Sequence, residues 1–293
     1  MNDPPAGLRG LVHQLGPVLT AATAFGISDV SGKFVLEDGS DVLSLLAFRS
    51  VVGVGLLFVW LRLGAAAGAQ LSPRLKWISL GLGLLLTLNL LSVFKAIELV
   101  PVSIAILTYF IYPLLTGLIG ALTGIDRLTW QGAATAIIAF LGLGLIIGAH
   151  PAQLAVLGLV AAVGGALVRV AMLLITRATL AGADARLVTW YTLWSSMLVF
   201  VGLSLATWNW QPPHTVPGWV AFVGIGATTT AAIFALYVST QRIGPFRTAL
   251  YMNLEPLMTT GLSAVVLGDR LTPLQVAGGA AMIAALCAFQ LRR

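Results

Sequence analysis

Residues 109–114 (YFIYPL) and 252–257 (MNLEPL) decide the fold, because each places a proline inside a long apolar stretch. Each is followed by the same tetrapeptide, DRLT, at 126–129 and at 269–272. The separation is 143 residues between the two prolines and again between the two tetrapeptides. Two features that recur at one spacing indicate an internal repeat.

The composition around this repeat is that of a membrane protein. Hydrophobic residues make up 58% of the 293 residues and charged residues 9%, whereas a soluble domain carries roughly 25% charged residues. The apolar runs are continuous, as at 78–91 and 137–148, while strands of a membrane barrel would alternate polar and apolar side chains. The sequence therefore predicts an all-α integral membrane protein surrounded by lipid.

Ten transmembrane helices of about 20 residues account for nearly the whole chain. They are predicted at 15–35, 41–62, 75–95, 101–122, 131–149, 154–177, 186–208, 217–240, 245–266 and 273–291. The repeat divides them into two five-helix halves, 1–149 and 150–293. Because five is odd, the second half enters the membrane from the opposite side. Such inverted repeats are typical of secondary transporters, whose substrate sites lie near the midplane.

The basic residues predict the orientation. If the N-terminus is cytoplasmic, eleven of the 16 Lys and Arg residues lie on that side and two on the other, with three inside helices. The eleven are Arg9, Arg62, Arg74, Lys76, Arg127, Arg177, Arg186, Arg242, Arg247, Arg292 and Arg293. This asymmetry follows the positive-inside rule. We expect a multi-pass protein of the cytoplasmic (inner) membrane with both termini cytoplasmic, and no nucleic-acid partner.

Three charged residues fall deep inside predicted helices, where a charge is costly and faces a cavity, a partner or an ion pathway. Glu255 is a candidate proton or substrate-amine site, and the alternative is a structural partner for Arg49, Arg247 or a free backbone carbonyl. Arg49 and Arg169 are candidates to pair with Glu255 or with a substrate carboxylate, or else have structural roles.

Aromatic and amide side chains complete the candidate cavity. They are Tyr109, Tyr112, Tyr191, Trp194, Asn89 and Asn253. Each aromatic residue has the alternative of packing or anchoring its helix, and each amide that of an interhelical hydrogen bond. Asp29 and Lys33 lie one helical turn apart near the outer end of the first predicted helix. They either form a self-satisfied pair, which is the favoured interpretation, or belong to a ligand site.

Pro113 and Pro256 lie near the middle of the fourth and ninth predicted helices. A proline there removes one backbone hydrogen bond and kinks the helix. We predict symmetric kinks, which serve either packing or a hinge.

The sequence shows no pattern typical of a metal site, a disulfide or a nucleotide-binding site. The three histidines lie at predicted termini or loops without ligand spacing, and the single Cys287 excludes an internal disulfide or a cysteine-only metal site. The glycine run at 142–148 lies inside an apolar helix with no strand before it, unlike a nucleotide fingerprint. We therefore expect no cofactor, no metal and no enzyme activity.

With ten helices and the twofold proline/DRLT pattern, the chain resembles the drug/metabolite transporter superfamily, and within it the ten-helix EamA-like exporters. The best match is 254–257 (LEPL) followed by 267–275 (LGDRLTPLQ), with further matches at 47–49 (AFR) and 94–96 (FKA). The resemblance covers nearly the whole chain. Two departures are Phe25, where many members carry tryptophan, and Tyr112 in place of an acid.

The resemblance implies export of small metabolites, and it extends to amino acid exporters of the YddG type. The leading hypothesis is a secondary transporter that exports a small-molecule substrate, with amino acids as the first candidates, by alternating access. Proton coupling through Glu255 and uniport down a gradient stay open as alternatives. The rival functions are export or facilitated transport of other amphipathic metabolites or drugs and, less favoured, a channel or an intramembrane enzyme.

Overall fold

The computed structural model describes residues 8–63, 70–147, 155–266 and 271–291, and these ranges form helices joined by short connectors. The helices are α1 (Leu8–Glu37), α2 (Val42–Leu63), α3 (Pro73–Leu99), α4 (Val102–Tyr109), α5 (Tyr112–Leu122), α6 (Trp130–Ile147), α7 (Val156–Leu180), α8 (Ala185–Ala206), α9 (Val216–Ile243), α10 (Pro245–Tyr251), α11 (Leu254–Val266) and α12 (Pro273–Leu291). The predicted boundary at 149/150 and residues Asp269, Arg270, Arg292 and Arg293 lie outside the described residues.

These helices form ten membrane-crossing segments, because α4 and α5 are the halves of one crossing and α10 and α11 those of another. Within the described ranges, nine segments are individually long and apolar enough to cross a membrane, including 102–122. The remaining segment, 245–266, carries Arg247 and Glu255. The ten-helix architecture predicted from the sequence is confirmed, with two of the crossings broken.

Helix packing follows the internal repeat. Helix α1 packs along α9, and its counterpart α7 packs along α3. Helix α2 packs on α9, just as its counterpart α8 packs on α3. The counterparts α2 and α8 also pack on each other, as do α6 and α12. A twofold axis in the membrane plane produces this exchange of neighbours, so the two five-helix repeats are inverted and interleaved.

The broken crossings differ from the predicted kinked helices. Residues 110–111 separate α4 from α5, and residues 252–253 separate α10 from α11. Pro113 and Pro256 therefore lie in the first turn of α5 and α11 rather than in mid-helix. Proline fits a first turn because its missing N–H would have no partner there in any case. The two interruptions occupy equivalent positions of the repeats.

Asp38 joins the ends of α1 and α9. Its Oδ2 accepts hydrogen bonds from the backbone N of Thr215 at 2.9 Å and from Thr215 Oγ1 at 3.0 Å. These bonds, led by the backbone one, lower the pKa of Asp38 below its ordinary value. Because the charged form is favoured in the fold, this link is complete at neutral pH and weakens only as the pH falls through that lowered pKa.

A pair of glycines sets the distance between α6 and α12. A Cβ on Gly142 would lie 2.8 Å from the carbonyl oxygen of Gly278, and a Cβ on Gly278 would lie 2.6 Å from that of Gly142. Side-chain carbons do not approach backbone oxygens so closely. Small residues let helix backbones pack tightly in membranes, so both positions require glycine at this separation.

We expect Gly278→Val to destabilise the protein, because the added side chain forces α6 and α12 apart. Overpacking of this kind costs typically 1–3 kcal/mol, so the melting temperature in detergent should fall by several degrees. Gly81→Val in α3 is the matched control, since a Cβ there meets nothing within 4 Å. Equal melting temperatures for the two variants would contradict the close contact.

Candidate functional site

Helix α11 forms one wall of the candidate site. None of its residues is fully buried, although it packs against α1. Every residue from 254 to 260 is half-buried. Gly26 brings α1 close, since a Cβ there would lie 3.0 Å from Met258 Cβ and 3.1 Å from Thr259 N.

Four charged side chains meet beside this contact, and we call them the charged cluster: Asp29 of α1, Arg49 of α2, Arg169 of α7 and Glu255 of α11. Thr259 Oγ1 donates a 3.0 Å hydrogen bond to Asp29 Oδ2. Asp29 interacts electrostatically with Arg49 and Glu255, and Glu255 with Arg169. The cluster thus connects helices of both repeats.

Arg169 is the most enclosed member of the charged cluster, with 6% of its surface exposed. Its guanidinium lies 5.6 Å from the ring centroid of Phe25 and 5.8 Å from that of Tyr112. Among the described residues, Arg169 Nε has no hydrogen-bond partner. A buried guanidinium held between aromatic faces with a donor unused is suited to bind an anionic group.

The acids of the charged cluster are accessible. Asp29 is exposed and Glu255 is half-buried, although both are surrounded by protein on most sides. Glu255 also lies in the first turn of α11, where the helix dipole favours a negative charge.

Asn89 connects neighbouring helices through hydrogen bonds. Its Nδ2 donates a 2.8 Å hydrogen bond to the carbonyl oxygen of Gly165, and the Tyr109 hydroxyl lies 3.5 Å from its amide atoms. Asn89 therefore links α3 with α7 and α4, the interhelical alternative considered for this amide. Tyr109 in turn contacts Tyr112, with 5.4 Å between the ring centroids, and so forms part of the aromatic wall beside Arg169.

Asn253 lies at the break between α10 and α11, two residues before Glu255. It is 1% exposed, and its Nδ2 donates a 2.9 Å hydrogen bond to the Leu250 carbonyl oxygen. Its Oδ1 has no hydrogen-bond partner among the described residues. The interrupted crossing thus holds an unused acceptor next to the charged cluster.

Tyr191 and Trp194 are half-buried on α8 and pack against an apolar group that includes Met172 and Tyr237. Tyr237 donates a 3.3 Å hydrogen bond to Thr192 Oγ1. The described contacts of Tyr191 and Trp194 are thus with this packed group, and their role as cavity residues stays a prediction.

For Asp29, the sequence favoured a pair with Lys33 over a ligand site. The structure places the Asp29 carboxylate against Thr259, where it also interacts electrostatically with Arg49 and Glu255. A signal was present in Gly26, three residues earlier, because a glycine within a membrane helix permits a second helix to approach. That signal does not reveal which helix approaches.

The site offers binding chemistry for both signs of charge. Two arginines and two carboxylates interact electrostatically, and Arg169 also lies against the rings of Phe25 and Tyr112. A ligand with an anionic and a cationic group can therefore find a partner for each. In the described part of the chain, no group of His, Cys, Asp and Glu side chains is arranged to hold a metal ion.

Comparison with known proteins identifies the family. The sequence profile of the EamA-like transporter family matches residues 16–148 and again residues 156–289. No curated protein sequence matches significantly. A solved crystal structure superposes with a TM-score of 0.75 at 19% sequence identity, covering 95% of this chain and 98% of that one, which shows a shared fold. The chain belongs to the EamA-like transporter family, within the drug/metabolite transporter superfamily.

Proposed function

We propose that this protein exports small zwitterionic metabolites, with amino acids as the first candidates, by alternating access. Members of its family are transporters and not enzymes, and a small-molecule substrate and a lipid bilayer follow from that membership. The observation that supports the substrate class is the charged cluster, in which two cationic and two anionic side chains interact electrostatically.

The proposed binding mode uses both signs of charge. The substrate carboxylate contacts Arg169, whose position between Phe25 and Tyr112 leaves Nε available. The substrate ammonium lies toward Glu255 and Asp29. An apolar side chain then faces the aromatic wall. Charge-assisted hydrogen bonds of this kind supply more binding energy than neutral ones.

The inverted repeats support alternating access, because the two halves can rock about a site that both of them build. Helices α1, α2 and α11 contribute the acids and Arg49, and α7 contributes Arg169. We place the chain end with Arg74, Arg127, Arg177 and Arg242, called the basic end below, in the cytoplasm of a cell whose inner membrane the protein spans. Both termini are then cytoplasmic.

Proton coupling is one form of this proposal and uniport the other. In the coupled form, a proton and the substrate ammonium compete for Glu255, so that release of one accompanies binding of the other. Thr259 and Asp29 support this form, since they place a second carboxylate within electrostatic range of Glu255.

The test is uptake of labelled amino acids into proteoliposomes, with and without an imposed pH gradient. We expect saturable uptake, competition by zwitterions, and weaker competition by N-acetylated or amidated analogues that lack one charge. Absence of uptake for every amino acid would overturn the substrate class, and efflux of amphipathic drugs in the same vesicles would favour the rival one. Uptake that ignores the gradient would leave uniport.

A further inference from the structure

The two broken crossings are not in equivalent states. Helix α10 is buried at Pro245, Phe246 and Thr248 through Tyr251, whereas no residue of α11 is buried. Helix α10 packs firmly on α5. The twofold axis relates this pair to α4 and α11, which in the described residues pack mainly on α7 and on α1 instead. In the described residues, these half-helices are therefore packed closely at the basic end and loosely at the opposite end.

Asp126 makes a polar contact that holds the basic end closed. It follows α5, and its Oδ2 accepts a 3.0 Å hydrogen bond from the backbone N of Phe246 in the first turn of α10. Gly244, just before α10, has a φ of +88°, and a Cβ there would lie 2.9 Å from Asp126 Oδ2. A carboxylate of the first repeat thus accepts a hydrogen bond from the first turn of α10 in the second repeat.

Phe246 fills a notch beside this contact. The ring is 2% exposed, and a Cβ on Gly117 of α5 or on Gly132 of α6 would lie 2.8 Å or 2.7 Å from it. Only glycine at these two positions leaves room for the ring. The hydrogen bond and the inserted ring join the same two repeats at the same end of the molecule.

We propose that Asp126 and Phe246 form the gate at the basic end, and that substrate enters the cavity when this contact opens. This proposal rests on the transporter function and adds the position of the closed gate. It also assigns a role to the first DRLT tetrapeptide, whose aspartate is Asp126. The threonine of the same tetrapeptide, Thr129, accepts a 3.1 Å hydrogen bond at its Oγ1 from the backbone N of Gly132. The tetrapeptide thus orders the loop that presents the carboxylate.

Distances between spin labels test the gate without a substrate. In a Cys287→Ser background, one label pair at Leu122 and Arg242 reports the basic end, and another at Val102 and Val266 reports the opposite end. We expect a short, narrow distribution for the first pair in the unsubstituted gate. Asp126→Ala should lengthen it, shorten the second, and change the ratio of closed to open populations on the order of tenfold, as for a lost charge-assisted hydrogen bond.

Two further variants complete the test. Phe246→Ala, which empties the notch, should shift both pairs in the same direction as Asp126→Ala. Asp184→Ala is the matched control, because Asp184 is also a helix-capping carboxylate at the basic end but bonds Arg186 within its own repeat, and it should leave both distributions unchanged. Unchanged distances in folded, monodisperse Asp126→Ala or Phe246→Ala protein would overturn the gate. Failure of amino acid uptake by the unsubstituted protein would instead overturn only the substrate, since the distances are measured without one.

Discussion

Replacement of Arg169 by Met is expected to abolish most of the transport activity. The side chain is buried between Phe25 and Tyr112 and provides the cation that interacts electrostatically with Glu255. Met keeps the length and the apolar packing but removes the charge, which leaves the substrate carboxylate and the acids of the charged cluster without a partner. Loss of one member of a buried charge pair costs about 2–5 kcal/mol, so uptake should fall at least thirtyfold at roughly 1.4 kcal/mol per tenfold.

Two companion variants separate charge from shape at this position. Arg169→Lys keeps the charge but loses the planar group that stacks on aromatic rings, and it should retain an intermediate rate. Arg62→Met removes another cation from an aromatic face, since the Arg62 guanidinium lies 5.2 Å from the centroid of the Phe58 ring. Arg62 is exposed, so uptake should be unchanged. If Arg169→Met protein transports normally while it stays folded, the carboxylate site is elsewhere.

Replacement of Glu255 by Gln is expected to weaken amino acid binding on the order of tenfold or more, because a charge-assisted hydrogen bond to the substrate ammonium becomes a neutral one. In the proton-coupled form of the proposal, the same variant also loses its response to a pH gradient. Substrate competition in a thermal-shift assay measures the first effect, and uptake at two gradients measures the second.

Glu98→Gln is the control for this variant. Glu98 forms a 3.0 Å salt bridge with Lys95, and both side chains are exposed, so its loss should change neither binding nor gradient response. A Glu255→Gln protein with full affinity and full gradient response would exclude Glu255 from both roles. Full gradient dependence with reduced affinity would leave Glu255 as an ammonium partner and move the coupling to another group.

The architecture was predictable because the sequence features that indicate it are either continuous over a whole helix or repeated in both halves of the chain. Apolar runs predicted the ten crossings, and the equal spacing of the prolines and tetrapeptides predicted two inverted halves. The breaks at 110–111 and 252–253 were not predicted. A proline fits both the middle of a kinked helix and the first turn of a new one, and only packing decides between them.

The candidate site was predicted in part. Glu255 and Arg169 stand out in the sequence because a charge deep in an apolar helix is energetically costly and usually functional. In the structure, the two side chains interact electrostatically. Asn89 was a candidate as an amide deep in an apolar helix, but its Nδ2 donates an interhelical hydrogen bond to the Gly165 carbonyl oxygen. Asp29 had a plausible partner one turn away, and the approach of α11 that gives it another is a property of tertiary packing, which no local pattern records.

The composition of the charged cluster also determines how the membrane voltage acts on transport. With Asp29 and Glu255 ionised, the formal charges of the two acids and of Arg49 and Arg169 sum to zero, and a zwitterion adds none. A membrane potential does electrical work of about 2.3 kcal/mol per elementary charge per 100 mV, and this work vanishes when the charge that moves is zero. The transporter, with or without bound substrate, would then change between its two conformations without moving net charge across the membrane. Each proton bound by the cluster would add one positive charge and make that step electrogenic, so current distinguishes the two forms of the transport cycle.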